Sequence, residues 1–272
     1  MKPLIREAKP EDKPFIDEIA RLTWEGEDYL ARVFENWLKD GNFYVLELEG
    51  KVIGTAKLTI LPDKVGWLEG LRVHPNYQKR GFGRVLHNFM LHKGKVLAEK
   101  GVIDALEFST YFLNEESIAM AKKDGFRIVE RFYYLQKPLG EKVKPKRAKI
   151  ELLDELEYNE YIPYGWKFLH KCEESVEWLN RRAEIREYNG FKFLYPPIHE
   201  NEPTFTPFKL SIGSIETLLP AMSFEAGKIG YDTIDIMLPD DKRDLIELLK
   251  ELGFKNWADF KAPDVLVFRK EF

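Results

Sequence analysis

The start of the chain has apolar side chains spaced as in helices, after a short strand-like run at 4–9. A helix is predicted to begin at Pro10, because proline and the two acids that follow it suit a helix N-terminus. Its apolar residues then recur three and four positions apart. A second segment, at about 27–39, repeats this spacing with aromatic and aliphatic side chains. The chain is therefore predicted to open with a strand and two amphipathic helices.

The pattern then changes to alternation, which predicts strands. Three such runs, separated by turn residues, lie at 42–49, 52–61 and 66–73. A basic, glycine-containing loop at 77–83 leads into a helix of about 16 residues. The series ends with a strand, a helix and a closing strand or pair of strands, at 103–110, 115–123 and 126–136. This order, β-α-α-β-β-β-α-β-α-β, predicts a mixed α/β fold.

A polar, proline-containing stretch follows this first series of elements. It begins with Pro138-Leu139-Gly140 and continues with a run of mostly charged residues up to Arg147, which is a composition typical of interdomain linkers. We therefore predict a first domain at 1–138, a linker at 139–147 and a second domain at 148–272.

The second half repeats the element order found at the end of the first half. A strand-like run at 233–239 and a helical run at 240–252 lead to Gly253-Phe254 and a closing strand near 265–269. The first half has the same order around Gly125-Phe126. We interpret this repeat as a diverged internal duplication, although a glycine after an amphipathic helix is also the ordinary helix stop.

Two further elements are predicted ahead of this repeat. Asn189-Gly190 indicates a type I′ turn between strands at 184–188 and 191–195. A helix is predicted at 210–226.

Composition narrows the class of protein. The chain has 272 residues, of which 44% are hydrophobic and 32% charged, so it can form globular domains rather than remain disordered. Its net charge of −4 gives no general attraction to nucleic acid. No apolar stretch approaches the roughly 18 residues that span a bilayer, and the first residues lack the apolar region of a signal peptide. We therefore expect a soluble, cytoplasmic protein with neither a nucleic-acid nor a membrane partner.

Cysteine and histidine give no sign of a metal site. Cys172 is the only cysteine, which excludes an intramolecular disulfide and a zinc site with several thiolates. His87 and His92 lie on a predicted helix, but they are not four residues apart. We expect no metal ion.

The basic loop at 77–83 has the composition of an anion site. Gly81 and Gly83 permit unusual backbone conformations and let a ligand approach the main chain. The loop leads into a helix whose first N–H groups have no intrahelical partner, and such groups suit a pyrophosphate. Lys79, Arg80 and Arg84 add positive charge.

Glycines in a loop are weak evidence by themselves, since a plain turn would contain them as well. The loop lacks the third glycine of a dinucleotide-binding fingerprint. It also lacks the Gly-Lys-Ser/Thr ending of a nucleoside-triphosphate loop.

The loop and the strand before it resemble a known family. Gln78-Lys79-Arg80-Gly81-Phe82-Gly83 is similar to the Gln/Arg-x-x-Gly-x-Gly/Ala motif of the GNAT superfamily of N-acetyltransferases. The strand ends in Leu71-Arg72-Val73-His74-Pro75, which resembles the family's Leu-x-Val-x-Pro. Residues 114–126 are similar to its asparagine-containing helix that ends in Gly-Phe. The element order resembles the family fold over 1–138.

This resemblance implies a fold and an activity. The fold would be α/β (α+β), with a mixed, mostly antiparallel sheet flanked by helices, and the second half would be a diverged GNAT-like lobe. The activity would be transfer of an acetyl group from acetyl-CoA, as co-substrate, to an amine.

The resemblance also implies roles for individual residues. Backbone groups of Leu71, Arg72 and Val73 would pair with the pantetheine arm like an added strand, and the Val73 amide would donate to the oxyanion. Asn114 matches an asparagine that often contacts the pantetheine, and Ser117 lies one turn further along. The pyrophosphate would be held by amides of Gln78, Lys79, Arg80, Gly81, Phe82, Gly83 and Arg84.

Glu69 is the predicted general base, or the carboxylate that positions a water for that purpose. A protonated amine has no lone pair, so one proton must be removed before the amine can attack the thioester. With a period of two, Glu69 shares a strand face with Trp67, Leu71 and Val73. Partly apolar surroundings favour the neutral form of a carboxylate, which makes it a better base near neutral pH. The alternatives are a solvated glutamate at the strand edge, or one paired with Arg72 or Lys57.

The sequence departs from the family pattern where a general acid is common. When Asn114 and Gly125-Phe126 are aligned with that pattern, Ala121 stands where a tyrosine often serves. Either another tyrosine substitutes, or the thiolate leaves unassisted, or activity is low. The tyrosines that could substitute, each of which is also explained as a packed aromatic residue, are Tyr111, Tyr133 and Tyr134. His74 lies beside the expected acyl site and could contact the substrate.

The second half has no comparable basic loop. In the corresponding place, 210–216 offers a single glycine, Gly213, and an acidic residue, so we expect this half to have lost coenzyme binding. Two functions therefore stay open. One is an N-acetyltransferase that acts on a primary amine of a small molecule, an amino acid or a protein N-terminus. The other is a non-catalytic acyl-CoA-binding or regulatory protein, which Ala121 would suit. Neither the acceptor nor the oligomeric state follows from the sequence.

Overall fold

The protein is described by a computed structural model, in which residues 3–23, 26, 28–197 and 204–272 are placed well enough to describe. The chain forms two compact units. The first consists of Met1–Phe108 together with Arg269–Phe272, and the second of Ser109–Phe268. The linker predicted from the sequence at 139–147, between domains at 1–138 and 148–272, stays a prediction.

The described residues of the first unit form helices and the strands that precede and follow them. The helices are α1 (Lys13–Arg21), α2 (Leu30–Asp40) and α3 (Phe82–Glu99). The strands are β1 (Leu4–Glu7), β2 (Phe43–Leu48), β3 (Lys51–Ile60), β4 (Val65–Val73) and the first part of β5 (Ala105–Tyr111). Short 3-10 turns stand at Pro10–Asp12 and Pro75–Tyr77.

The strands of the first unit follow one another in the order β1-β2-β3-β4-β5. The first three pairings are antiparallel, and β4 pairs with β5 in parallel from Val65 to Trp67. Helices α1 and α2 bury their apolar faces with one side of this sheet. The buried residues of that cluster are Ile16, Ile19, Ala20, Leu30, Val33, Phe34, Trp37, Phe43, Val45 and Val52.

A bulge interrupts the pairing of β4 with β3. Thr55 lies opposite Arg72 and Lys57 lies opposite Glu69, so three steps on β4 match two on β3. Gly70 stands in this bulge with φ +63°, a conformation that favours glycine. A Cβ added there would lie 2.5 Å from the Trp37 ring, so the bulge also depends on the absence of a side chain.

The bulge changes which residues share a face of β4. Thr55 and Lys57 lie on the same face of β3, so their partners Arg72 and Glu69 lie together on one face of β4. The prediction from simple alternation, which put Leu71 on the same face as Glu69, was therefore wrong beyond Gly70.

The last four residues of the chain complete the first unit. The Arg269 guanidinium donates to Glu107 Oε1 at 2.6 Å, and Glu107 is fully buried. The Phe272 amide donates to the Asp104 carbonyl at 3.3 Å. Removing one partner of a buried ion pair is strongly destabilising, so this contact helps to hold the strand end in place.

In the second unit, the described residues form further helices and most of the remaining strands. Its helices are α4 (Glu115–Lys123), α5 (Glu173–Arg182), α6 (Ile212–Lys228) and α7 (Arg243–Glu251). Its strands, besides the end of β5, are β6 (Arg127–Pro138), β7 (Lys146–Arg147), β8 (Tyr161–Tyr164), β9 (Lys167–His170), β10 (Glu184–Tyr188), β11 (Phe191–Tyr195), β12 (Thr206–Pro207), β13 (Thr233–Pro239) and the first part of β14 (Val265–Glu271).

Three sets of strands pair in this unit. Strand β6 lies between β14 and β13, and its pairing with β13 is antiparallel. A second sheet has the order β12-β11-β10-β7, and β8 pairs with β9. The turn between β10 and β11 has positive φ at both Asn189 and Gly190, which confirms the predicted type I′ hairpin. Two apolar clusters, one around α6 and β13 and one around α5 and β8, form its core.

Most of the predicted elements are confirmed. The helix at 115–123 and the strands at 184–188, 191–195 and 233–239 have the predicted bounds. Helix α6 begins two residues later and ends two residues later than predicted, and contains Pro220. No helix or strand was predicted for 148–183, where β8, β9 and α5 lie. The predicted mixed α/β class, with a mostly antiparallel sheet and flanking helices, is confirmed. The internal duplication stays a prediction.

Candidate functional site

The helix α3 begins without a side-chain cap. Its N-cap is Gly81, with φ +84°, and its first turn holds no acidic residue. The first helical hydrogen bond of this end runs from the Val85 amide to the Gly81 carbonyl at 3.1 Å. The amides of Phe82 and Gly83 precede that bond, so they point out of the helix end, where the helix dipole favours an anion.

Positive side chains surround this helix end. Lys79 and Arg80 are exposed, and Arg84 is half-buried. The Arg80 guanidinium lies 5.5 Å from the centre of the Tyr77 ring, which holds it beside the loop. Lys79 itself has φ +60°, so the loop is tightly turned ahead of Gly81.

The two glycines of the loop serve different purposes. Gly81 has open space where a Cβ would lie, and its positive φ accounts for the residue type. Gly83 has an ordinary helical φ, and an added Cβ would lie 3.9 Å from Val73 Cγ2. Since the protein's own packing does not require glycine at Gly83, the free space above it fits a ligand that approaches the backbone.

The end of β4 presents backbone groups along one edge. The His74 amide donates to the Ile53 carbonyl on β3 at 2.8 Å. Successive amides of an extended strand point to opposite edges, so the Val73 amide points away from β3. The Val73 carbonyl accepts a hydrogen bond from Gln78 Nε2 at 3.0 Å, which ties the strand end to the start of the loop. Residues Leu71, Arg72 and Val73 are half-buried.

Glu69 is half-buried on the face of β4 that also carries Trp67. The Thr59 hydroxyl donates to Glu69 Oε1 at 2.5 Å. Lys57 lies opposite Glu69 in register, is 1% exposed, and donates to the Leu58 carbonyl at 3.1 Å. Glu69 is thus a carboxylate held by a hydroxyl, rather than a solvated glutamate at the strand edge.

Arg72 connects β4 to the start of α2. Its Nε donates to Asp28 Oδ2 at 2.6 Å, and the Asp28 side chain is fully buried. Asp28 Oδ1 in turn accepts from the Leu30 amide at 3.0 Å. The Arg72 guanidinium also lies 5.7 Å from the centre of the Tyr29 ring. These contacts fix the beginning of α2 beside the bulge.

His74 is held at the end of β4 by local contacts. Its Nδ1 accepts from the Asn76 amide at 3.2 Å, and its Nε2 lies 3.7 Å from Glu18 Oε1. The ring is mostly buried, with an edge contact to Tyr77. These contacts give His74 a structural role in the turn after β4. A contact between His74 and the substrate stays a prediction.

Asn114 and Ser117 belong to the second unit, at the start of α4. Asn114 is the N-cap of this helix, and its Oδ1 accepts from the Ser117 amide at 3.3 Å. Its Nδ2 donates to Thr110 Oγ1 at 3.1 Å. A role of these two residues towards pantetheine stays a prediction from the family resemblance.

The three tyrosines that could replace a general acid at position 121 lie in the second unit and pack against other side chains. Ala121 is fully buried, so its position in α4 is part of the core. The Tyr134 hydroxyl donates to Asp235 Oδ2 at 2.7 Å, and Tyr133 lies in the apolar cluster around α6. Burial raises the pKa of Tyr133. Burial, with a smaller contribution from the charge of Asp264, raises the pKa of Tyr111. A phenol with a raised pKa is a weaker proton donor.

Thr59 and Gly70 were not predicted from the sequence to be part of the site. Thr59 is two residues from Lys57, so alternation places both on one face of β3. The turn at 62–64 would have indicated that this face meets Trp67 and Glu69. No sequence signal located the bulge, because a glycine inside a strand has several explanations.

Two observations concern metals and membranes. Within the described residues, no cluster of three or more histidine, cysteine, aspartate or glutamate side chains is arranged to hold a metal ion. No helix in the described part of the chain is both long and apolar enough to cross a membrane.

Cys172 is half-buried, with its Sγ 3.3 Å from Ser175 Oγ.

Comparison with known families gives a match to the first part of the chain. Residues 10–126 match the acetyltransferase (GNAT) family. The matched segment includes the bulge in β4, Glu69 and the whole basic loop.

A curated relative and two solved structures are also similar. The chain is 32% identical over 80 residues to mycothiol acetyltransferase of Thermomonospora curvata. This aligned segment makes up 29% of the present chain and 27% of the relative. A proposed acetyltransferase of Thermoplasma acidophilum has a TM-score of 0.66 at 19% identity, covering 99% of this chain and 100% of that one. Another, from Pyrococcus horikoshii, has a TM-score of 0.65 at 15% identity, covering 99% and 89%. At these identities the two structures show the fold alone.

Proposed function

We propose that this chain, whose residues 10–126 match the acetyltransferase (GNAT) family, is an acetyl-CoA-dependent N-acetyltransferase acting on a primary amine. The observation that carries this proposal is the arrangement of β4 and α3. A bulged strand with a half-buried Glu69 leads, within ten residues of its end, into a basic helix N-terminus without a side-chain cap.

The start of α3 would bind the pyrophosphate of acetyl-CoA. The amides of Phe82 and Gly83, the positive end of the helix dipole and the space above Gly83 suit an oxyanion that approaches the backbone. Lys79, Arg80 and Arg84 supply charge, and charge-assisted hydrogen bonds are about twice as strong as neutral ones. The absence of an acid from the first turn of α3 removes a source of repulsion.

The end of β4 would bind the extended part of the co-substrate. The Val73 amide points to the edge away from β3, where it can donate to the oxygen of the thioester carbonyl. The Val73 carbonyl, which accepts from Gln78, offers an acceptor on the same edge. Pairing of an extended ligand with a strand edge in this way uses main-chain groups alone, so it does not depend on side-chain identity at Leu71 or Arg72.

Glu69 would take a proton from the acceptor amine. The neutral amine nitrogen then bonds to the thioester carbonyl carbon and gives up a second proton to solvent, the carbon–sulfur bond breaks, and coenzyme A leaves as a thiolate that is protonated by solvent or by an acid. The chain supplies the base, the oxyanion donor and the orientation of the two reactants. The thiolate is a weakly basic leaving group, since thiols have a pKa near 8.5, and this makes a dedicated acid dispensable. Ala121 is consistent with that path.

The test is release of free thiol from acetyl-CoA in the presence of a panel of primary amines. We expect turnover with at least one class of small-molecule amine, amino acid or N-terminal peptide. Glu69→Gln keeps the shape of the side chain but removes its basicity, and general acid–base catalysis contributes roughly 10²- to 10⁴-fold. We therefore expect kcat to fall by at least about a hundredfold.

Glu187→Gln is the matched control. Glu187 is also a half-buried glutamate on a strand, but it lies on β10 of the second unit, opposite Lys192. We expect its kcat to equal that of the wild type. If Glu69→Gln left kcat unchanged, Glu69 would not be the base.

A non-catalytic acyl-CoA-binding protein is the second candidate, and alanine at position 121, where the family pattern often has a tyrosine, favours it. Both functions predict stabilisation by acetyl-CoA, because a ligand that binds the folded state raises the melting temperature. Only the enzyme releases thiol. Stabilisation without turnover with any amine class would favour the binding protein.

A further inference from the structure

Thr59 makes a short hydrogen bond to the predicted base. It lies on β3, opposite Trp67 in register and diagonal to Glu69. Its Oγ1 donates to Glu69 Oε1 at 2.5 Å, and Thr59 is only 9% exposed. A hydroxyl that donates to a carboxylate makes one of the stronger classes of hydrogen bond, with distances of about 2.5–2.7 Å.

The strand geometry restricts how Glu69 can move. Threonine is branched at Cβ, so few χ1 rotamers are available to it in a strand. The backbone of Thr59 lies opposite Trp67 in the ladder with β4, and the residue before it, Leu58, donates its amide to the Asn42 carbonyl at 3.0 Å, so the strand is held at this point. The donor is therefore rigid, and a carboxylate bound to a rigid donor has less rotational freedom than a glutamate at a strand edge.

Two charged side chains, Arg72 and Lys57, lie on the same face as Glu69 and Thr59. Arg72 directs its Nε to Asp28, and Lys57 directs its ammonium to the Leu58 carbonyl. The hydroxyl of Thr59 is neutral, so it orients Glu69 without supplying a charge. A hydroxyl can do this while the carboxylate remains able to accept a proton, since a carboxylate has about four acceptor sites over its two oxygens.

We propose that Thr59 is a positioning residue for Glu69, which fixes the carboxylate in the orientation from which it takes the proton of the acceptor amine. This inference rests on the proposed function of Glu69. Thr59 itself contacts neither reactant. Its effect is on kcat, because misalignment of a base slows proton removal but leaves the contacts with acetyl-CoA unchanged.

The experiment compares three variants of the full-length protein with the amine found active above. Thr59→Val keeps the size of the side chain and removes the hydroxyl. We expect kcat to fall about 5- to 20-fold, while KM for acetyl-CoA stays within about twofold. Thr59→Ser restores the hydroxyl, and we expect it to recover kcat to within about threefold of the wild type. In Thr59→Val combined with Glu69→Gln, we expect kcat to equal that of Glu69→Gln alone, because Thr59 acts only through the base.

Thr206→Val controls for loss of a buried hydroxyl. Thr206 is fully buried on β12 of the second unit, and its Oγ1 donates to the Pro163 carbonyl at 2.8 Å. We expect it to lower the melting temperature by an amount similar to Thr59→Val, with kcat unchanged.

Each failure has a separate meaning. If Glu69→Gln lowers kcat but Thr59→Val does not, the positioning role is wrong and the base assignment stands. The positioning role is also wrong if Thr59→Ser is as slow as Thr59→Val, or if the two losses multiply in the double variant. If Glu69→Gln has no effect, both assignments fall together.

Discussion

Helices α3 and α6 both begin after a loop and both have a glycine as their second residue, but their first amides have different partners. At α3 the N-cap is Gly81, which has no side chain, and the loop before it carries Lys79 and Arg80. At α6 the N-cap is Ser211, whose Oγ accepts from the Ser214 amide at 3.3 Å. Ser214 Oγ accepts from the Ser211 amide at 3.3 Å, so each serine caps the other.

This difference separates a structural helix end from one that suits a ligand. Side-chain caps satisfy amides that the helix itself cannot, and a capped end has less to offer an anion. The end of α6 is capped by its own serine side chains, whereas the end of α3 has a glycine N-cap and basic residues in the loop before it. The difference between these two helix ends supports coenzyme binding by the start of α3 and a structural role for the start of α6.

The largest effect is expected from a negative charge at Gly83, the second residue of α3. Gly83→Glu places a carboxylate where the pyrophosphate would lie, and like charges repel strongly near a helix end. We expect the Kd for acetyl-CoA, measured by titration calorimetry, to rise at least about tenfold, which corresponds to about 1.4 kcal/mol. An acid near a helix N-terminus is favourable to the helix itself, so the melting temperature should not fall.

Gly213→Glu is the matched variant at α6. An added Cβ meets no atom within 4 Å at Gly213, so the substitution fits. We expect an unchanged Kd for acetyl-CoA. Equal weakening by both variants would contradict the assignment of the pyrophosphate site to α3.

A smaller effect is expected from removing the cap of α6. Ser211→Ala deletes the oxygen that accepts from the Ser214 amide, and loss of an N-cap costs about 1 kcal/mol. We expect a lower urea midpoint for the second unit and no change in Kd for acetyl-CoA. Thr217→Ala serves as control, because the Thr217 hydroxyl bonds the Gly213 carbonyl within the helix and caps no amide. A loss of stability as large as that of Ser211→Ala would show that the cap is not the cause.

The smallest effect concerns pH and the loop before α6. Glu157 accepts from the Lys209 ammonium and from the Leu210 amide, both at 2.9 Å. Partial burial raises the pKa of Glu157, but these hydrogen bonds outweigh it, so the pKa lies below its ordinary value. A depressed pKa stabilises the folded state above the unfolded-state pKa of about 4.3, and that stabilisation is lost as the pH falls through the folded-state pKa.

Glu157→Gln should therefore lower the melting temperature at pH 7 and make little difference at pH 3. Glu216→Gln, at an exposed position of α6, should change the melting temperature little at either pH. A difference for Glu157→Gln that grew towards acid pH would reverse the sign of this argument.

The sequence predicted the loop better than it predicted the strand beside it. The residues of the loop are neighbours in the chain, so a motif of charges, glycines and a following helix can be recognised directly. The site around Glu69 depends on pairing between β3 and β4. Alternation correctly placed Trp67 on the same face of β4 as Glu69, but the bulge at Gly70 put Arg72, rather than Leu71, on that face.

Helix α5 and strands β8 and β9 show a second limit. They lie at 161–182, in a stretch where aromatic, charged and turn residues alternate over short distances. Short strands leave little room for a periodic pattern, so local sequence does not distinguish them from loops.

By itself, the sequence determined the elements that depend on near neighbours: the hairpin at Asn189-Gly190, the helix at 115–123, and the basic loop that leads into α3. The tertiary structure alone decided the bond between Thr59 and Glu69, the ion pair between Arg72 and Asp28, and the pairing of Arg269 with buried Glu107. The reason is physical. Turn conformations and helical periods are set by interactions over a few residues, whereas strand register and buried ion pairs depend on groups far apart in the chain, whose interaction exists only once the chain has folded.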